Sequence, residues 1–303
     1  MDAIMTETDI SYLDAPPILI AGSSDAAIAR AKRTADASGA RLAAALLIDE
    51  APARLQRQAA AATLWIELDD MGGRAHDLLS SVNSDVRDGR YPAVVAAPKM
   101  LIDPLSALLD DDVQLIIDAD EAERAAALAI AVATRRTDPR YSDIAADRNA
   151  DRLRQLSDEV SRIASTLARL SAGPAAPARP IERGSTADIP QVSAETVRAV
   201  IRARRLRARF FPEELFADPA WDMLLDLLQA EISQLRVPVS SLCIAAAVPA
   251  TTALRWLKTM VQQGMFVRRA DPHDGRRVFV ELAPEASQAL RRFFAEIAPL
   301  SVI

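Results

Sequence analysis

Cysteine occurs once in the 303 residues, as Cys243, which excludes an intrachain disulfide and any cysteine-rich metal site. Histidine occurs only as His76 and His273, so no histidine-based metal cluster is expected. Aromatic residues make up only 4% of the chain. Alanine is used heavily instead, which points to helices packed through small side chains. No apolar run approaches the ~20 residues needed to cross a bilayer. The first residues, Met1 to Asp9, are acidic and lack a basic stretch followed by an apolar one. No secretory signal is therefore read, and a cytoplasmic location without a membrane partner is the expectation. Neither G-x-G-x-x-G nor a Gly-Lys-Ser/Thr phosphate loop is present, so no cofactor and no enzyme chemistry are expected.

What the chain does have is an uneven distribution of charge. Residues 1–191 carry −9 and residues 192–303 carry +3, which make up the −6 of the whole. An acidic front and a basic back suit a regulatory part joined to one that meets a polyanion.

Residues 1–17 read as a polar tail. From Ile18, five short apolar runs alternate with helical segments. The runs are Ile18–Ala21, Leu42–Ile48, Thr63–Leu68, Ala93–Ala97 and Val113–Ile117. The helices are Ala26–Ser38, Pro52–Ala61, Gly73 to about Asp88, Pro104–Leu109 and Glu121–Arg135. Near-continuous apolar strands separated by helices predict a parallel α/β sheet covered on both faces. In length and element order, residues 18–139 resemble the receiver domain of response regulators, a flavodoxin-like fold. That resemblance implies a phospho-accepting Asp at the end of the third strand, where Asp69 and Asp70 stand. It also implies an acidic metal-binding pair after the first strand, where this chain has Ala21-Gly22-Ser23-Ser24. It implies a Ser or Thr after the fourth strand, where Ala96-Ala97-Pro98 stand, and a Lys after the fifth, where Asp118 stands. The expectation is a degenerate receiver-like domain that is not phosphorylated. In the other reading Asp69 or Asp70 accepts a phosphoryl group.

Within residues 140–172, Leu153, Leu156, Val160, Ile163, Leu167 and Leu170 recur at spacings of three and four, with Asn149 in the same series. This narrow seam predicts a dimeric coiled coil; an amphipathic helix packed on its own domain is the alternative. Residues 173–191 read as a proline-containing flexible linker, leaving the two ends of the molecule free to move relative to each other.

Residues 192–303 open on a basic helix with Arg198, Arg202, Arg204, Arg205, Arg207 and Arg209. A helix at Ser240–Ala247, a second at Ala250–Gln263 and a stop at Gly264 follow. Strand-like runs at Met265–Arg269 and Arg277–Leu282 flank a charged tip. Helix, turn, helix and hairpin form a winged helix-turn-helix. Gly264 before an apolar strand ending in Arg, and the tip Asp271-Pro272-His273-Asp274-Gly275-Arg276-Arg277, resemble the MarR family of DNA-binding regulators. The resemblance implies an α+β winged helix that binds double-stranded DNA as a homodimer, but the family's usual ligand pocket is not recognisable in this sequence.

The residues assigned to DNA are Ser240 and Ser241 on the first helix, and Thr251, Thr252, Arg255, Lys258 and Thr259 on the second. His273, Arg276 and Arg277 on the wing complete the set. Arg255 suits a guanine edge, Lys258 a phosphate, and Arg276, oriented by Asp274, a minor groove, with Arg277 as its alternative. Leu254, Leu257, Met260 and Val261 are the expected inward stripe. Trp256 is expected in the core before a DNA stack, and Cys243 as a buried inert thiol before a redox switch. The whole reads as a homodimeric regulator with a protein or small-molecule effector at the N-terminal domain. The rivals are a phosphorylation-dependent response regulator and a winged helix that grips a protein partner.

Overall fold

The computed structural model describes residues 17–57, 63–72, 74–136 and 190–297. The expected coiled coil, and all but the end of the expected linker, lie outside them. The N-terminal part has strands β1 (Ile18–Gly22), β2 (Leu42–Leu47), β3 (Leu64–Glu67), β4 (Ala93–Ala97) and β5 (Gln114–Ile117). They form one sheet in the order β2-β1-β3-β4-β5, with every pair parallel. Parallel neighbours require a crossover between them. Helices α1 (Asp25–Ala37), α2 (Ala51–Arg57), α3 (Ala75–Arg87), α4 (Ile102–Leu108) and α5 (Glu121–Arg136) alternate with the strands.

Side chains alternate across the sheet with period two. Ile18, Ile20, Trp65, Val94 and Ile116 pack with Ala31 and Ala35 of α1 and with Ala127, Leu128 and Ala131 of α5. Leu19, Leu64, Ile66, Val95 and Ile117 face the other way, in the cluster that holds Leu78, Leu79 and Val82 of α3 and Leu105 of α4. The first βα turn is tight. A Cβ on Gly22 would stand 2.6 Å from Ile28 Cγ1 and 2.9 Å from its backbone nitrogen, so only glycine fits. Ser24 then caps α1, its Oγ accepting from the Ala27 N–H at 3.0 Å.

The C-terminal part holds α6 (Ala194–Leu206), α7 (Pro219–Ile232), β6 (Val237–Pro238), α8 (Val239–Ala245) and α9 (Ala250–Gln262). After these come β7 (Phe266–Ala270), β8 (Val278–Leu282) and α10 (Pro284–Ile297). β7 and β8 form the antiparallel wing, and β6 pairs with the other edge of β8. Leu224, Leu225, Leu227 and Leu228 of α7 are buried, as the spacing predicts. On α9 the stripe is shifted: Ala253, Leu257 and Met260 are buried, while Leu254 and Val261 are only partly so. A small residue at the centre lets α9 approach its neighbours closely. Trp256 is 38% exposed, so it is not the core residue expected. Leu206, expected on the apolar side of the basic helix, is 47% exposed.

The two parts do not lie apart, as the linker composition suggested. One apolar cluster runs continuously from the α3 and α4 face of the sheet into the winged helix.

Gly264, at φ +69°, ends α9 in the left-handed conformation that glycine tolerates. Ala247 turns the chain between α8 and α9 at φ +53°. That conformation costs a residue with a Cβ about 1–2 kcal/mol. The extra chain entropy of glycine offsets about 0.4–1 kcal/mol of any relief. Ala247→Gly is therefore expected to raise stability by up to about 1 kcal/mol in urea unfolding. A clear loss of stability would contradict strain at this turn.

Candidate nucleic-acid interface

α8 and α9 meet at 107°, within the roughly 90–120° of helix-turn-helix pairs. Burial of Val239, Leu242, Cys243 and Ala245 fixes α8 against the body. Burial of Ala253, Leu257 and Met260 leaves the opposite face of α9 pointing away from it. Arg255, Thr259 and Gln262 are exposed on α9, and Ser241 is exposed on α8. His273, Arg276 and Arg277 are exposed on the wing, while Thr252 is half-buried. The Thr259 hydroxyl donates to the Arg255 carbonyl at 3.0 Å, tying it to its own helix.

The wing tip is braced by two aspartates. Asp271 Oδ1 accepts from the His273 N–H at 2.9 Å, and Asp274 Oδ1 accepts from the Arg276 N–H at 3.0 Å. Asp274 Oδ2 lies 3.4 Å from Arg277 Nε. The guanidinium that Asp274 orients is thus that of Arg277, not Arg276, because the turn brings the later residue back over the carboxylate.

The remaining assigned residues meet the N-terminal part. Thr251 Oγ1 accepts from the Ile117 N–H at 2.9 Å and donates to the Ile117 carbonyl at 3.3 Å. β5 is an edge strand, so one hydroxyl satisfies both peptide groups that its outer edge leaves unpaired. Lys258 Nζ donates to the Asp111 carbonyl, and Arg268 Nη1 pairs with Asp111 Oδ1 at 3.0 Å. Ser240 lies in the first turn of α8. Its N–H and hydroxyl both donate to Asp103 on α4, at 2.9 and 2.6 Å.

Cys243 is buried, and burial first, then the nearby Asp103 carboxylate, pushes its thiol up to about 12. It is a protonated thiol at neutral pH, without the reactivity a redox switch needs. The basic helix α6 is partly neutralised within the chain: Arg204 Nε pairs with Asp222 at 2.6 Å. Arg207 lies over the Phe216 ring. An open cleft of about 550 Å³ lies among α7, β6, β8 and α10, bordered by the Glu231–Arg291 pair.

At the carboxyl end of β3, sequence reasoning named Asp69 and Asp70 but missed Glu67. Glu67 is only 2% exposed. It accepts from Trp65 Nε1 at 2.9 Å, from Arg30 Nε at 3.1 Å, and from Arg124 Nη2. The signal was a charged residue inside the apolar run TLWIEL. Arg30 bridges Glu67 and Asp69. The second Asp69 oxygen accepts from Ser24 Oγ, and the Asp69 N–H donates to Ser23 Oγ at 2.8 Å. Ser24 and Arg30 therefore each engage one carboxylate oxygen, and Ser23 holds the Asp69 backbone. Asp70 Oδ1 accepts from the Gly72 N–H and shapes the following turn. Among the described residues, no group of three or more His, Cys, Asp or Glu is placed to hold a metal ion.

The Ser24 hydroxyl, opposed by desolvation and aided by Arg30, holds the Asp69 carboxyl below its ordinary range. A carboxylate with a depressed folded-state pKa adds stability above its unfolded value, lost as pH falls through the folded one. Asp69→Asn is expected to lower stability at pH 7. It should also flatten the loss of stability as pH falls below about 4 in urea titrations followed by circular dichroism. Equal acid slopes in the two proteins would contradict this.

No protein-family model matches the chain, and no curated protein matches it. Among solved structures, BpsR of Bordetella bronchiseptica, whose DNA binding is regulated by 6-hydroxynicotinic acid, is 20% identical. It covers 35% of this chain and 76% of its own, at a TM-score of 0.22. The homodimeric winged helix-turn-helix DNA-binding domain Mb0332 of Mycobacterium bovis is 18% identical, covering 36% and 88%, at 0.22. The transcriptional regulator Tm0710 of Thermotoga maritima is 20% identical, covering 36% and 80%, at 0.21. These winged helix regulators share a local likeness with about a third of the chain, at scores too low to bear on its function.

Proposed function

We propose that the chain is a transcriptional regulator that binds double-stranded DNA through α9 and the wing. The observation that carries this reading is a helix pair crossed at 107° whose second helix exposes Arg255 beside a wing tipped by Arg276 and Arg277. A helix of this kind enters a major groove and reads base edges with its outer polar face. A wing arginine fits an adjacent minor groove. In this reading the winged helix is MarR-like, and the molecule acts as a homodimer through residues 140–172 on paired half-sites. The N-terminal domain is receiver-like, with an effector acting on it. It works without phosphorylation, a reading supported by the Ser24 and Arg30 contacts that occupy the Asp69 oxygens. A second reading, in which the winged helix grips a protein partner, is favoured by one observation: this same face accepts a protein surface at Ile117.

Titrating random duplex DNA into the full chain at rising salt separates the two, because counterion release requires affinity to fall as salt rises. No binding at low salt, even with the Asp103 and Asp111 side chains removed, would defeat the DNA reading. Arg255 and Arg276 make none of the hydrogen bonds to the N-terminal part, so substituting them tests the reading head alone. Arg255→Ala is expected to lose about 1–3 kcal/mol of sequence preference. Arg276→Ala should weaken binding with a smaller change in preference. The reverse pattern would refute these roles. Incubation with a small phosphodonor and Mg²⁺, read by intact mass, should leave Asp69 and Asp70 unlabelled; stable labelling would favour the phosphorylation-dependent regulator.

A further inference from the structure

Three of the residues assigned to DNA are engaged from within the chain. Thr251 and Lys258 lie seven positions apart on α9, two turns along one face. Thr251 is bonded to the peptide of Ile117 and Lys258 to the carbonyl of Asp111. On the helix before them, Ser240 is held by both oxygens of Asp103. At the base of the wing, Arg268 is paired with the Asp111 carboxylate. The covering edge is acidic, with Asp110, Asp111 and Asp112 in succession. It presents carboxylate and carbonyl oxygens to donors of the kind that meet phosphates.

From this arrangement we infer that the N-terminal domain is an autoinhibitory cover, and that duplex DNA and the β5 edge compete for one face of α9. The inference rests on the DNA-binding reading above. The exclusion is geometric. A major groove about 12 Å wide admits a single helix, and it cannot admit α9 with a sheet edge bonded at Thr251 and Lys258. DNA binding therefore requires undocking. Apparent affinity is the intrinsic affinity scaled by the fraction undocked. Any ligand or partner that alters α4 or the β5 edge then alters DNA affinity, and DNA alters the affinity for that ligand by the same factor.

Two measurements on the full chain test this. In the unmodified protein, amide hydrogen exchange of Ile117 is followed without and with saturating duplex. Exchange at Ile117 should speed up with DNA, since its N–H loses the Thr251 hydroxyl, while exchange at Ile20 in the sheet interior stays unchanged. Separately, the double variant Asp103→Ala, Asp111→Ala should bind the same duplex about tenfold more tightly, within the range common for coupled sites. Protection of Ile117 that persists in the DNA complex, or a double variant that binds no more tightly than the unmodified chain, overturns the cover and leaves the DNA reading standing. If neither protein binds duplex at low salt, the DNA reading falls and the cover with it.

Discussion

A sheet edge cannot be left half-satisfied against another protein surface. β5 is the last strand of a parallel sheet, and the peptide of Ile117 turns its N–H and carbonyl outward. One threonine hydroxyl on α9 meets both. This contact fixes where the winged helix sits against the α/β sheet. Beside it Asp103 is bonded to Ser240, and Asp111 to Lys258 and Arg268. Contacts of this polar kind can be exchanged for water or for phosphate at modest cost, while the apolar cluster that continues from the α3 and α4 face into the winged helix opposes separation. Stability and exchangeability thus meet at one face.

On the central strand of the same sheet the polar groups are arranged to stay. Glu67 is buried, and two arginines and an indole N–H saturate it. Removing one partner of such a network leaves a charge stranded in the interior, which costs about 3–5 kcal/mol. Arg30 carries that network out to Asp69, and Ser23 and Ser24 complete it. A carboxylate bonded at both oxygens fits the proposal that this domain is not switched at Asp69.

Much of the fold was legible because periodicity reports burial. The five strands are apolar on both faces, and Gly22, Ser24 and Gly264 mark turns and caps where geometry leaves few choices. On α9, the exposed positions Arg255 and Thr259 follow from the same logic. What the sequence did not reveal are contacts between distant segments. Nothing local distinguishes Thr251 from Thr252, yet one is bonded to a strand 134 residues away. A linker-like composition describes the chain between two parts, not whether they pack, so the docking of the winged helix was missed. Glu67 was missed because a charge in an apolar run reads as a strand end until its arginine partners are placed beside it. At the wing the sequence leaves both Arg276 and Arg277 open to Asp274, and the hairpin geometry brings Arg277 to it.

If duplex DNA displaces the β5 edge as proposed, α9 and the N-terminal domain separate when it binds. Spin labels at Asp112 and Gln262, both exposed, would report the distance across the contact by pulsed electron resonance. The buried Cys243 thiol would remain unlabelled. A single short distance in the free chain, replaced by a longer and broader distribution with saturating duplex, is the predicted result. The same short distance in the DNA complex would contradict it.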